Sequence, residues 1–313
     1  LQTVKERGYL VCGVNAGLPG FASEDDEGNW SGLDVDFCRA VSAAVFGDAD
    51  KVEYLGLNAA QRFPTLASGS IDILSRNTTW TISRDVNLMF EFAGVSYYDG
   101  QGFLVPTDLG ITSARGLDGA FVCIASETTS ELNLNDYFAE NNMAYRPIYV
   151  EGNKDAKAKL FAGECDVFTT DASGLASARA GAENPDDWVV LPEIISKEPL
   201  GPLVRQGDQE WEDVVRWTLF AMINAEEMGI TSRNVDDMLA AQSKEIKRLL
   251  GVEGYMGPML GLGMKFGYNI IKLVGNYGES FNKHIGPGTP LNLERGLNNL
   301  WNNGGILYVP PFR

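Results

Sequence analysis

Histidine is nearly missing from this 313-residue chain: His284 is the only one, and it stands in a Gly/Pro-rich tail beside Gly286-Pro287-Gly288. The commonest general base and metal ligand is therefore absent from any central site. Ser-His-Asp and Cys-His catalysis are nearly excluded, and an enzyme would have to work with carboxylates or lysine. Positive charge is also scarce. Lys and Arg number 25 against 42 Asp and Glu, a formal net charge of −17, which repels nucleic acid and anionic lipid surfaces. No apolar run reaches the ~20 residues needed to span a bilayer. The opening Leu1-Gln2-Thr3-Val4-Lys5-Glu6-Arg7 has no apolar signal-peptide core, so the chain reads as soluble and as a mature, already processed form.

Cysteines are few. Cys12, Cys38, Cys123 and Cys165 lack the close CxxC spacing of zinc sites, and no metal site is expected. One pair falls in the first segment of the chain and the other in the middle segment. Two disulfides, one per lobe and each stabilising by roughly 3–4 kcal/mol, follow in an oxidising compartment. Four buried free thiols follow in a reducing one.

The densest chemistry is Ser75-Arg76-Asn77-Thr78-Thr79-Trp80-Thr81-Ile82-Ser83-Arg84, directly after the strand-like run Ile71-Asp72-Ile73-Leu74. A guanidinium fork matches two carboxylate oxygens, and neighbouring hydroxyls can satisfy the remaining lone pairs. Phe168-Thr169-Thr170-Asp171 supplies one anionic acceptor at the end of another strand. The two together describe a trap for a zwitterion, although Arg84-Asp85 taken alone reads equally well as a plain helix start.

Short apolar runs alternate with amphipathic stretches. Leu10–Val14, Val52–Leu55 and Ile71–Leu74 read as strands, with helices over Leu33–Phe46 and Arg62–Ala67 between them. The pattern restarts with strands Ala120–Ile124, Tyr145–Val150 and Asp166–Thr170, a helix opening at Thr128 with Glu131 as its capping-box partner, and a helix over Ala156–Ala162. This βαβαβ grammar predicts an α/β fold of two Rossmann-like lobes with mostly parallel sheets. Extended crossings at Gly102–Pro106 and Pro199–Arg205 predict a two-stranded hinge. Lobe 1 is then residues 1–104 and 204–250, lobe 2 is 105–203, and a C-terminal helical extension over 251–313 packs on lobe 1 or on a second subunit. Helices are expected around Trp211–Glu227, Val235–Leu249, Tyr268–Val274 and Leu291–Trp301. Chain lengths above ~250–300 residues favour such a division. Ligands of open α/β sheets sit beyond the carboxyl ends of strands, so the Thr/Arg stretch and Asp171 should face each other across the cleft. Phe21 is expected to wall the pocket.

Gly32-Leu33-Asp34-Val35-Asp36, Ser75–Arg84, Tyr97–Gly102, Glu131–Leu134, Thr169–Asp171, Gly275–Glu279 and Ile285–Leu291 resemble the periplasmic substrate-binding proteins of amino-acid ABC transporters. The resemblance is to the general L-amino acid or glutamate/glutamine/aspartate/asparagine group, with the type II periplasmic binding protein fold. It implies that Arg84 binds a ligand α-carboxylate with help from Thr79 and the helix start at Thr128. Asp171 would bind the α-ammonium, Asn77 would add hydrogen bonds through its carbonyl or side chain, and Arg62 would meet the ligand side chain. Asn15 stands where dicarboxylate binders carry a further Arg, which favours a broad polar binder. Glu127 replaces a usual Gly between Ser126 and Thr128, and an outward-pointing side chain is expected there. No cofactor is implied. The implied partners are a free L-amino acid and an inner-membrane ABC permease, the implied place is the periplasm, and monomer and homodimer both remain open. A sensor domain or a carboxylate-based, dehydratase-like enzyme on the same scaffold is the alternative function.

Overall fold

Each of the two main sheets takes in a strand that follows directly on a connection between them, Leu203–Arg205 after Glu198–Leu200 in the first and Gln101–Pro106 after Tyr97–Asp99 in the second. In the computed structural model, which describes all 313 residues, the first sheet comprises β1 (Leu10–Asn15), β4 (Val52–Leu57), β5 (Ile73–Leu74), β6 (Phe90–Phe92) and β14 (Leu203–Arg205), in the order β4-β1-β5-β14-β6. A two-residue ribbon, β2 (Ser23–Glu24) with β3 (Trp30–Ser31), lies between β1 and β4 in sequence. β1 is parallel to β4 and β5, while β14 runs antiparallel to β5 and β6. The second sheet comprises β8 (Gln101–Pro106), β9 (Phe121–Ala125), β10 (Arg146–Val150), β11 (Val167–Asp171) and β12 (Trp188–Val190), in the order β10-β9-β11-β8-β12. Here β8 is the antiparallel member.

Between the sheets, β7 (Tyr97–Asp99) pairs antiparallel with β13 (Glu198–Leu200), placing Asp99 opposite Glu198. The hinge thus lies at Tyr97–Asp99 and Glu198–Leu200. Of the segments read from sequence as crossings, Pro199–Arg205 supplies Pro199 and Leu200 to the hinge and Leu203–Arg205 to the interior of the first sheet, whereas Gly102–Pro106 lies in an interior strand of the second. Slotting into the sheet after the crossing gives their backbone groups partners on both sides, which an exposed connector would lack.

Consecutive residues of the second sheet enter different cores. Phe103, Val105, Val122, Ile124 and Val167 pack on one side, and Leu104, Cys123 and Phe168 on the other. Burial on both faces is why these strands read as unbroken apolar runs. The cysteines are paired: Cys12–Cys38 ties β1 to the helix Leu33–Phe46, and Cys123–Cys165 ties β9 to the residue two before β11. No helix is long and apolar enough to cross a membrane.

The tail after Leu250 packs on the first lobe. Phe266, Ile270, Phe281, Ile285, Leu300 and Phe312 share one core with Val4, Leu10, Cys12 and Val41. His284 Nε2 (2.8 Å) and Ser280 Oγ (2.9 Å) both donate to the buried carboxylate of Asp36. Arg295 forms a two-pronged pair with Glu226 (2.8 and 3.1 Å) and lies over the Phe281 ring. The buried Asn298 side chain accepts from Tyr98 N–H (2.6 Å) and donates to Tyr98 C=O (3.0 Å), so its carboxamide acts as a one-residue third strand beside β7.

Two helix expectations fail for local reasons. Leu291–Trp301 forms no α-helix and has only a 3₁₀ turn at Gly296–Asn298 before the next at Trp301–Asn303, because Asn292 and Gly296 take left-handed backbone conformations (φ 48° and 47°). Val235–Leu249 divides into Val235–Met238 and Lys244–Leu249, with the Ser243 hydroxyl accepting from Ile246 N–H to start the second piece.

Replacing both Cys12 and Cys38, whose sequence separation is 26, should lower the unfolding free energy by about 3.5 kcal/mol, read as a lower denaturant midpoint with unchanged slope. Asn298→Ala strands both backbone groups of Tyr98 and should cost about 1–3 kcal/mol, measurable in the same denaturation series.

Candidate ligand-binding site

The ends of the strands and the starts of the helices converge on one chamber of about 40 Å³. From the first lobe it receives Asn15 at the end of β1, Arg62 from the helix Ala59–Ala67, Arg76, Asn77 and Thr79 from the segment after β5, and Arg84. From the second it receives Thr128, Thr129 and Ser130 at the start of the helix Thr129–Glu140, Gly152 and Asn153 at the start of the helix Asn153–Phe161, and Thr170 and Asp171 at the end of β11. Asn15 and Asp171 come from strand ends, Arg76 from the segment after β5, and the helix starts turn free amides inward, the usual ligand geometry of open α/β sheets. Arg84 is delivered by a π-helical turn, Ser83–Asn87, and its Nη1 is fixed by the Thr79 carbonyl at 2.8 Å. Asn58 and Gln61 form a reciprocal cap that begins the Ala59–Ala67 helix three residues earlier than its apolar pattern suggested and orients Arg62 inward.

Three guanidiniums and one carboxylate dominate the chamber. Arg62, Arg76, Arg84 and Asp171 are all buried. Asn77 stands between the lobes, accepting from Asn15 Nδ2 (2.8 Å) and donating to Asp171 Oδ2 (3.2 Å). Ser177 Oγ also reaches across, to the Pro19 carbonyl at 3.0 Å, so the lobes are closed on one another. Arg62 Nε has no hydrogen-bond partner. Burial pushes the Arg62 guanidinium well down, with repulsion from Arg76 and Arg84 adding to it. Burial lowers Arg76 to about 10, opposed by Asp34 and Asp171. Asp171 is pushed well up, first by burial and then by the charges of Asp99 and Glu198, while Asn77 and Arg62 pull the other way. Asp99 rises to about 6, chiefly through burial. Unpaired buried donors facing one buried acceptor describe a cavity built for an ammonium and at least one carboxylate.

A family model of bacterial extracellular solute-binding proteins, family 3, matches residues 10–233. The chain belongs to this family. The general L-amino acid-binding periplasmic protein AapJ of Rhizobium johnstonii is 56% identical over 315 residues, covering 100% of this chain and 92% of that protein. The glutamate/glutamine/aspartate/asparagine-binding protein BztA of Rhodobacter capsulatus is 52% identical over 314 residues, covering 100% and 93%. A solved structure, an ABC transporter periplasmic binding protein from Brucella ovis with glutathione bound, superposes with a TM-score of 0.97 at 54% identity, covering 100% of this chain and 98% of that one. The tail beyond the family model is therefore shared with these relatives.

In this solute-binding protein the structure gathers Asn15, Arg62, Asn77, Thr79, Arg84, Thr128 and Asp171 around the one chamber. Phe21 is not among them. Its ring is almost fully buried in the first-lobe core, edge-to-face on Tyr97 with centroids 5.3 Å apart, because the Gly/Pro loop turns it inward beneath the cleft. Glu127 is exposed with φ +60°, a left-handed position that suits Gly better than a side chain-bearing residue. The capping box at Thr128 is shifted by one residue: the Thr128 hydroxyl accepts from Glu131 N–H, while the Glu131 carboxylate accepts from Glu127 N–H instead of its own cap residue. Sequence reasoning passed over Arg76, Thr129, Ser130, Asn153 and Thr170, which also line the chamber. Arg76 and Thr170 lay inside stretches already singled out, whereas Asn153 carried no local signal.

The pH dependence follows from the raised carboxyls. An acid whose folded pKa lies above its unfolded value favours the fold when protonated, so its contribution is lost as pH rises from about 4 through about 6, the Asp99 value. An ammonium-bearing ligand needs the ionised form. Ligand-induced thermal stabilisation should therefore be larger at pH 7.5 than at pH 5, while the ligand-free protein melts higher at pH 5 than these two groups alone would allow at pH 7.5.

Proposed function

We propose that this protein captures a free polar L-amino acid between its lobes, closes on it about the β7–β13 pair, and presents the closed form to an ABC permease outside the cytoplasm. One observation carries the reading: Arg84 on the first lobe and Asp171 on the second line the same closed chamber. Opposite-sign anchors on separate lobes give the ligand greater affinity for the closed state than for an open one, the differential affinity that a conformational switch requires. Charge-assisted hydrogen bonds contribute about 1.5–3 kcal/mol each, and micromolar affinity requires about 8 kcal/mol, so these anchors with a few amide contacts suffice. The names of AapJ and BztA, a general amino-acid binder and a Glu/Gln/Asp/Asn binder, support the same ligand class. Arg62 and Arg76 beside Asn15 suit a side chain ending in a carboxylate or a carboxamide. The bound solute leaves unchanged; product formation from it would instead point to the dehydratase-like alternative.

A second reading extends the ligand. The chamber shares Asn15, Arg76, Gly152 and Asn153 with an outer cleft of about 470 Å³ that continues to Asn58, Gln61 and Lys154. A short peptide could place its amino-acid end inside and its remainder there, as the glutathione of the Brucella ovis relative suggests.

Calorimetric titration with L-glutamate, L-glutamine, L-arginine and glutathione should show saturable binding of at least one. Arg84→Ala and Asp171→Asn should each weaken it by about 2–5 kcal/mol. Undiminished binding in both variants would remove the basis of the proposal.

A further inference from the structure

The acid that most directly organises the chamber does not line it. Glu198 lies in β13 of the hinge and is 1% exposed. Its Oε1 accepts from Ser196 Oγ (2.7 Å) and Asn133 Nδ2 (2.7 Å), and its Oε2 accepts from Thr129 Oγ1 (3.1 Å) and Thr79 Oγ1. These donors saturate a carboxylate, which can only accept. Thr79 Oγ1 and Thr129 Oγ1 also lie 3.3 Å apart and either can donate to the other, so both protons stay within this cluster. Asn133 gives a second hydrogen bond to Gln101 Oε1 (3.1 Å), and Gln101 Nε2 donates to Ser130 C=O and Thr169 Oγ1 (2.9 Å each), which sets the orientation of both carboxamides.

A hydroxyl has one proton. Thr79 on the first lobe and Thr129 on the second each give theirs to Glu198 or to one another, and both also line the chamber. They therefore turn only lone pairs toward a ligand. This reverses the expectation that the Thr79 hydroxyl helps hold a carboxylate, since an oxygen without a free proton repels one and accepts from an ammonium.

We infer that Glu198 is a positioning residue that sets the polarity of the Thr79 and Thr129 hydroxyls, making the floor of the chamber an acceptor surface that demands a ligand amino group. The inference rests on the amino-acid reading above. Glu198 touches both lobes at the hinge, so the same carboxylate aligns the two hydroxyls only when the lobes are closed. In Glu198→Gln the fixed Asn133 amide holds the carboxamide oxygen at the Oε1 position, so an NH2 group replaces the Oε2 that both hydroxyls share and, with only one of them able to donate to the other, at least one hydroxyl turns its proton outward.

The test compares L-glutamate and L-glutamine with their deaminated analogues, glutarate and glutaramate, by calorimetric titration of the full chain. The unaltered protein should prefer the amino acids strongly. In Glu198→Gln that preference should shrink by about tenfold or more, the worth of one charge-assisted hydrogen bond, with glutarate binding little changed. Thr79→Val, which keeps the Glu198 charge and removes one acceptor, should shrink the preference in the same direction and decides the matter if Glu198→Gln does not fold. An equal loss for amino acids and deaminated analogues in Glu198→Gln, or an unchanged preference in Thr79→Val, would overturn the inference. So would an unaltered protein that binds both classes equally. Binding of none of the four by the unaltered protein would instead bring down the amino-acid reading, and this inference with it.

Discussion

The structure depends on burying charge that the protein does not neutralise by itself. Arg62, Arg76 and Arg84 stand in one chamber with Asp171, and none of the three forms an ion pair within 4 Å. Such groups cost the fold free energy, and the cost persists only where the surrounding scaffold is stable enough to bear it. The scaffold is correspondingly reinforced, with a disulfide in each lobe and a core of 42 buried residues in the first. On the proposed reading, a zwitterion would supply partners to these groups, and the electrostatic cost of burying them would drive its capture.

The hinge connects that chamber to the rest of the molecule. Glu198 and Asp99 face each other across β7 and β13, Glu198 reaches the hydroxyls of both lobes, and Asn298 of the tail pairs with the backbone of Tyr98 on the same strand. The tail is therefore more than an appendage to the first lobe. It fixes one side of the hinge, and with it the frame about which the second lobe would turn, while Asp36, Ser280 and His284 keep that frame attached. The only histidine in the chain serves structure here, not chemistry.

Much of the fold was legible because the signals are local. Apolar runs buried on both faces of a parallel sheet look alike wherever they occur, and Thr128 opens its helix as its sequence suggests. The chamber-lining Arg84 and Asp171 were legible as charged residues following strand-like runs. Phe21 was not, since an aromatic beside a Gly/Pro loop reads the same whether it faces a ligand or the core, and only packing against Tyr97 distinguishes them. The helix expected over Leu291–Trp301 failed because an apolar pattern carries no record of the left-handed turns at Asn292 and Gly296.

The sequence by itself determined the α/β class, the βαβ alternation, the scarcity of histidine and base, and which segments bear the charged anchors, because each is a property of neighbouring residues. Tertiary structure alone decided that Arg76 and Asn153 join the chamber, that Asn298 completes the hinge, and that Glu198, 119 residues from Thr79, takes that hydroxyl's proton. These are relations between groups far apart in the chain. The direction of a hydroxyl or the partner of a buried carboxylate is set by what folding brings within hydrogen-bond reach, and nothing in the flanking residues encodes it.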